Sequence, residues 1–404
     1  MTQSLARALS TALRVQGDSP FLGTPTDGGE FPYAWCSYRE VADDSAMLAA
    51  GLGLYLPRRS SLAIALGNRR EWLVCDFASC FSDFMNVGIH LAWSPEKSLG
   101  VLADAESRAL VTDTRVAQTL LLEAEHLQHT SLSLVVLVDC AEEKEACTLQ
   151  RLAPASIQVL TWEQVLEQGQ RARRTHTGFG FGDDVAVLDL VDDPAAPYTV
   201  MYSSGTTGGS APKGIVTSKA AWGVSNANPG PFGSISDTRL RCGISHMSLA
   251  HGADRGVAWF ATFAGARLGF TRAGGGVAQF VEHARQLKPS FVLGMATLWS
   301  DLYEWHVAAL NLALQQSLRE RWPDVDIPID SPEWSRITSA FLATRRGGAI
   351  RVRLLRQSRQ DLGGCLQVVP LSLPRGCNFK HGDNVVYLLE ISLSKQLIIC
   401  SRAA

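Results

Sequence analysis

Tyr202-Ser203-Ser204-Gly205-Thr206-Thr207-Gly208, followed shortly by Pro212-Lys213-Gly214, decides how this chain is read. Hydroxyl side chains, glycines and a lysine crowd into one short loop. Glycines let backbone N–H groups approach an anion and tolerate unusual dihedrals. Ser and Thr hydroxyls donate to phosphate oxygens, and Lys213 supplies a flexible point charge. The chemistry suits the phosphates of a nucleotide. The flanks predict a strand over residues 197–202 entering the loop and a short strand over 214–217 leaving it. The common P-loop needs Gly-Lys-Ser/Thr opening a helix, whereas here Pro212 precedes the lysine and Gly214 follows it. A polar surface loop is the plain alternative. The length and order of the pattern favour phosphate binding.

The chain has 404 residues, more than one ordinary domain needs. Hydrophobic content of 46% and charged content of 19% allow large buried cores. A net charge of −2 argues against a nucleic-acid-binding surface spread over the whole protein. The nine cysteines form no Cys-x-x-Cys, which fits reduced thiols. No apolar run approaches a membrane span. Residues 1–9 are mildly amphipathic and lack a signal-peptide core, so they read as a surface helix. Organelle targeting and peripheral membrane contact stay open. The expected location is cytoplasmic or peripheral on an intracellular membrane.

Working outward from the loop, short apolar runs alternate with helical patterns. Residues 42–54 predict a helix ending near Gly51 and Gly53. Residues 61–66, 88–91, 109–112 and 132–138 predict buried strands, and 71–84 a helix. This rhythm implies layered α/β structure with largely parallel sheets. Residues 141–183 change character, with Arg171-Ala172-Arg173-Arg174 as a solvated loop and the Gly-rich stretch 178–182 as a connector. Gly178-Phe179-Gly180-Phe181-Gly182 follows no convincing strand and precedes Asp183-Asp184, which disfavours a dinucleotide loop. Residues 257–269 predict a buried helix then a strand, 277–287 an amphipathic helix and 289–294 a strand. Residues 306–330 are compatible with helix. Residues 387–393 suit a strand, and 397–400 form an apolar tail.

The loop resembles the Tyr-Thr-Ser-Gly-Thr-Thr-Gly and Pro-Lys-Gly signature of the adenylate-forming superfamily, with Ser203 for the first Thr and two extra residues before the Pro. Other segments resemble its long-chain fatty acyl-CoA synthetases. These are Trp35-Cys36-Ser37-Tyr38-Arg39-Glu40-Val41, Asn68-Arg69-Arg70-Glu71-Trp72 and Ser248-Leu249-Ala250-His251-Gly252-Ala253-Asp254-Arg255. The likeness covers residues 33–305. It divides the chain into an N-terminal extension (1–32), a partial AMP-binding domain (33–305) and a divergent tail (306–404). No Tyr-Gly-x-Thr-Glu or Thr-Gly-Asp is present, the family segments that touch adenine, Mg²⁺ and ribose. The implied fold is the layered α/β subdomains of these enzymes' large N-terminal domain, lacking the small C-terminal lid domain.

What the resemblance implies is an acid–thiol ligase acting on a long-chain fatty acid. ATP and Mg²⁺ serve its first half-reaction, and coenzyme A is the co-substrate of the second. Ser203, Ser204, Gly205, Thr206, Thr207, Gly208 and Lys213 are the implied phosphate-binding residues. His251 and Lys213 are the implied catalytic residues, His251 close to the acyl carboxylate and α-phosphate. A packed core histidine is its plain alternative. His246, His251 and Asp254 fit no common zinc spacing, so no metal site is assigned. Residues 259–263 line an acyl tunnel in the family, while their periodicity equally suits a plain core helix. Two other readings stand beside the ligase. One is a catalytically inactive nucleotide-binding or regulatory protein. The other is the adenylation module of a carboxylic acid reductase or peptide synthetase, although no carrier-protein motif follows.

Overall fold

The computed structural model describes residues 4–27, 32–140, 143–177, 193–202, 213–226, 242–272, 274–294, 296–320, 328–329 and 331–342. The chain divides into two compact units. One comprises Met1–Ser236 and Ser245–Ala273, the other Asp237–Ile244 and Gly274–Ala404.

The first unit opens with α1 (Leu5–Gln16), β1 (Pro20–Pro25), β2 (Tyr33–Ser37) and α2 (Tyr38–Leu52). Then come β3 (Ser61–Ala65), α3 (Arg70–Ser82), β4 (Met85–Gly88), α4 (Pro95–Asp104) and β5 (Ser107–Asp113). After α5 (Thr114–Leu121) and α6 (Ala124–Leu127) follow β6 (Leu134–Val138), α7 (Glu143–Leu152), β7 (Gln158–Thr161) and α8 (Trp162–Thr177). The hairpin of β8 (Pro197–Tyr202) and β9 (Gly214–Ser218) leads into α9 (Lys219–Asn226). Past β10 (Cys242–Ser245), the unit ends with α10 (Gly252–Ala264) and β11 (Arg267–Phe270).

Seven strands form one sheet in the order β7-β6-β5-β3-β4-β8-β9. All its pairings are parallel except β8–β9. β3 and β6 are buried at every position, as expected where helices cover both faces of a parallel sheet. Ala63, Val87, Leu110, Val135 and Val200 from the strands pack with Leu99, Leu102 and Leu120 from α4 and α5. In a smaller sheet, β1 lies between β2 and β11. Residues 1–32 thus contribute α1, with Leu5, Leu9 and Leu13 buried, and a strand flanked on both sides.

In the second unit, α11 (Gly276–Leu287), α12 (Ala296–Arg319) and α13 (Pro332–Leu342) follow. Leu314 and Leu318 of α12 pack on Trp334 of α13.

Several sequence expectations need correction. α2 starts at Tyr38 because Ser37 and Glu40 form a reciprocal capping box. β4 is Met85–Gly88, so the predicted strand over 88–91 overlaps it only at Gly88. The buried polar Asn86 breaks the apolar run that marks a strand in sequence. Residues 143–177, assigned no elements from the sequence, form helix, strand and helix, and Arg171–Arg174 belong to the last turns of α8 rather than to a solvated loop. That segment's charge hides its few core-facing residues, Leu149, Val159 and Val165 among them. Residues 289–294 make only an isolated bridge, Gly243 to Phe291, instead of a strand. α12 begins ten residues before the predicted helix at 306. The readings on residues 178–182, 387–393 and 397–400 lie outside the described residues.

Candidate functional site

The parallel strands β3, β4 and β8 are neighbours, so their C-terminal ends share one edge of the sheet. Open α/β sheets bind ligands at this edge. Asn68 follows β3, His90 follows β4, and the Ser203–Gly208 stretch follows β8.

Tyr202 pairs with Gly214 across β8 and β9, so residues 203–213 connect two paired strand ends. Tyr202 is held from its side chain as well, donating to Asp104 Oδ2 at 2.5 Å. Ser203, Ser204, Gly205, Thr206, Thr207 and Gly208 lie outside the described residues. Lys213 is described and exposed.

The turn before α10 is packed onto the same edge by two glycines. A Cβ on Gly88 would lie 2.8 Å from the Ala250 Cα, and one on Gly252 would lie 2.9 Å from the Met201 sulfur. The first clash is with backbone and would push the turn off β4, whereas the second would be relieved by a shift of the flexible Met201 side chain. His251 is the N-cap of α10, and its Nδ1 accepts from the Ala253 N–H at 3.2 Å. Its side chain is exposed, so the core-histidine alternative fails. With Nδ1 an acceptor, the neutral ring carries its proton on Nε2.

His90 enlarges the edge. Its ring centre lies 4.7 Å from that of Trp93, and Lys97 Nζ lies 4.4 Å above the Trp93 ring. Burial, with His251 and Lys97 nearby, holds the His90 imidazole below the ordinary histidine range. The sequence reading missed His90 because it placed residues 88–91 in a strand.

Behind the edge lies a buried ionic cluster. Arg255 grips Asp76 with two bonds, Nε to Oδ2 at 2.8 Å and a terminal nitrogen to Oδ1 at 2.5 Å. Tyr198, Asn86 and Trp259 also donate to this carboxylate, at 2.5, 2.8 and 2.8 Å. Thr199 Oγ1 accepts from Arg255 at 2.6 Å, and the Trp222 ring lies 4.3 Å from the guanidinium. Trp259 is therefore a core residue of this cluster, and Phe260 beside it is buried, in line with the plain core-helix reading. Asp254, adjacent in sequence, is fully buried and bonded to Ser245 and Asn68. Burial pushes its carboxyl up to about 7 against those bonds. Of the trio His246, His251 and Asp254, then, the carboxylate is committed to the interior. Among the described residues no group of three or more His, Cys, Asp or Glu side chains converges as a metal site. No helix among them is long and apolar enough to cross a membrane.

The family described as AMP-binding enzyme matches residues 10–369, extending on both sides of the stretch 33–305. The peroxisomal long chain acyl-CoA synthetase 6 of Arabidopsis thaliana is 26% identical over 348 residues, 83% of this chain and 46% of the relative. The human long-chain-fatty-acid–CoA ligase 6 is 22% identical over 387 residues, 91% of this chain and 49% of the relative. The chain thus spans about half the length of these curated relatives. Among solved structures, the adenylation domain of a carboxylate reductase from Mycobacterium chelonae aligns with a TM-score of 0.65 at 18% identity. That alignment covers 90% of this chain and 53% of the other, and at this identity it shows a shared fold alone. A family match across most of the chain, and a layered α/β fold shared with adenylation domains, lead to one conclusion: the chain belongs to the AMP-binding, adenylate-forming enzyme family.

Proposed function

We propose that the chain activates a long-chain fatty acid with ATP and transfers the acyl group to coenzyme A. A carboxylate oxygen attacks the α-phosphorus of ATP. The bond from that phosphorus to the bridging oxygen breaks, and pyrophosphate leaves. The coenzyme A sulfur then attacks the acyl carbonyl of the adenylate, its proton passes to solvent, and AMP leaves. The first half needs positioning and neutralisation of charge on phosphate oxygens more than covalent help from the protein. Thr206 and Thr207, aided by Ser203, Ser204 and the Gly205 and Gly208 backbone, hold the β- and γ-phosphates. Lys213 accompanies the departing pyrophosphate. His251 donates from Nε2 toward the carboxylate and α-phosphate oxygens. Mg²⁺ arrives with ATP as part of the substrate, and no step is assigned to a protein-held ion.

The observation that carries this reading is the convergence at one sheet edge of the ends of the phosphate loop and the His251 turn. The similarity to long-chain acyl-CoA synthetases supports the substrate class. A second reading is a nucleotide-binding protein without turnover. Fatty-acid-dependent ATP–pyrophosphate exchange on the purified chain separates the two. Exchange that vanishes in Lys213→Ala supports the ligase. Nucleotide binding without exchange, from folded and monodisperse protein, supports the second reading.

A further inference from the structure

The turn that carries His251 is organised around one residue outside it. Asn68 follows β3 and sends its carboxamide into residues 245–254. Its Nδ2 donates to Ser245 Oγ at 2.9 Å, to Asp254 Oδ2 at 3.0 Å and to the Met247 carbonyl. Its Oδ1 accepts from the Leu249 N–H at 3.0 Å. With two hydrogens for three acceptors, one of the Nδ2 bonds is shared between two of them. Ser245 spends its hydroxyl proton on Asp254 Oδ2, at 2.6 Å, leaving a lone pair to accept from Asn68. Within the segment itself, the Asp254 carboxyl accepts from the His246 and Met247 N–H groups, the Ala250 N–H bonds Ser248 Oγ at 3.3 Å and the His251 N–H bonds the Ser248 carbonyl at 2.8 Å. A single amide side chain therefore ties together the start, middle and end of the segment that sets His251 at the edge.

We propose that Asn68 is a positioning residue for His251, holding the 245–254 turn so that the exposed ring keeps its bond from the Ala253 N–H and presents Nε2–H at the strand ends. This rests on the reading of His251 as the group that meets substrate. The partners of Asn68 favour the role over a general structural one. All four groups it bonds lie on this turn and the first helical turn after it, whereas Arg69 and Arg70 beside it tie instead to Glu71, Asp139 and Asp44. Its amide presents a donor and an acceptor at once, which neither Asp nor Ala can do.

The test is ¹⁵N NMR of labelled histidines in the full chain, with the His251 signal assigned by its loss in His251→Gln. In the unsubstituted chain above the histidine titration, the shifts should report one dominant tautomer, with the proton on Nε2. In Asn68→Ala the shifts should move toward the mixed tautomers of free histidine. Asn68→Asp keeps the size and the Leu249 acceptor but removes both donor hydrogens, and it serves if the Ala variant does not fold. His251 shifts unchanged in a folded variant would overturn the proposal whatever the activity. A rate cycle supplies the functional link. Asn68→Ala should lower adenylation about ten- to a hundredfold, as expected for a misplaced group. It should cost less than about twofold in a His251→Ala background, because residues acting through one another are not additive. Equal losses in both backgrounds would overturn the role. If His251→Ala alone leaves adenylation unchanged, the reading of His251 fails, and the NMR shifts still decide whether Asn68 positions it.

Discussion

Two polar clusters in the first unit follow opposite rules. The Asp76 carboxylate is saturated, accepting from Arg255, Trp259, Tyr198 and Asn86, and aromatic rings surround the guanidinium. At the strand ends, His251 and Lys213 are exposed, and the His251 ring accepts a local hydrogen bond from the Ala253 N–H. A buried charge must be paired or it costs several kcal/mol, so the first cluster holds α3, β4, β8 and α10 together. A group that must meet phosphate or carboxylate keeps its donors turned to solvent. Residue type does not separate the two kinds. Arg255 has more formal charge than His251, lies four residues away, and is structural.

The sharpest way to break this contrast is Arg255→Ala. It leaves Asp76 buried without its counter-charge and should cost ~3–5 kcal/mol of stability, read from the denaturant midpoint. A loss below ~1 kcal/mol would mean that other donors suffice, and that the cluster is not a framework. Lys213→Ala should do the reverse. Adenylation should fall by about 10²–10³-fold, as for loss of one donor to developing charge, while the midpoint stays in place. A shifted midpoint with unchanged exchange would exchange the roles assigned to the two regions.

Asp254 stands between the clusters, and its stability effect has a definite sign. Burial holds its carboxyl near 7, against an ordinary value of 3.8. Between those values the folded chain keeps a proton that the unfolded chain releases. Its contribution is therefore fully present below about pH 4, is lost as pH rises to about 7, and stays lost above that. The change is on the order of a few kcal/mol. Unfolding followed across this range should show a slope that flattens in Asp254→Asn. An identical slope in the variant would assign the titration to another group. The smallest effect is expected at a control position. Ser37→Ala removes one side of the α2 capping box and should cost ~1 kcal/mol, with adenylation unchanged.

Much of the framework was legible because its signals are local. Apolar runs marked β3, β5 and β6, and the hairpin strands around the loop emerged at their observed places. The loop's spacing, with the Asn68 and His251 segments, pointed to the adenylate-forming family that the comparisons show. The helix–strand–helix of 143–177 was not legible, because a short strand flanked by charged helices has little periodicity to show. His90 was missed for a related reason. A polar Asn86 inside β4 displaced the predicted strand by three residues and carried His90 with it.

The sequence by itself determined the α/β alternation and the family, since each depends on residues close together along the chain. Tertiary structure decided which polar residues are framework and which are exposed. Asn68 and Asp254 lie 186 positions apart, and Asp76 and Arg255 lie 179 apart. Burial and pairing set the cost of a charge, and both depend on neighbours supplied by remote strands and helices.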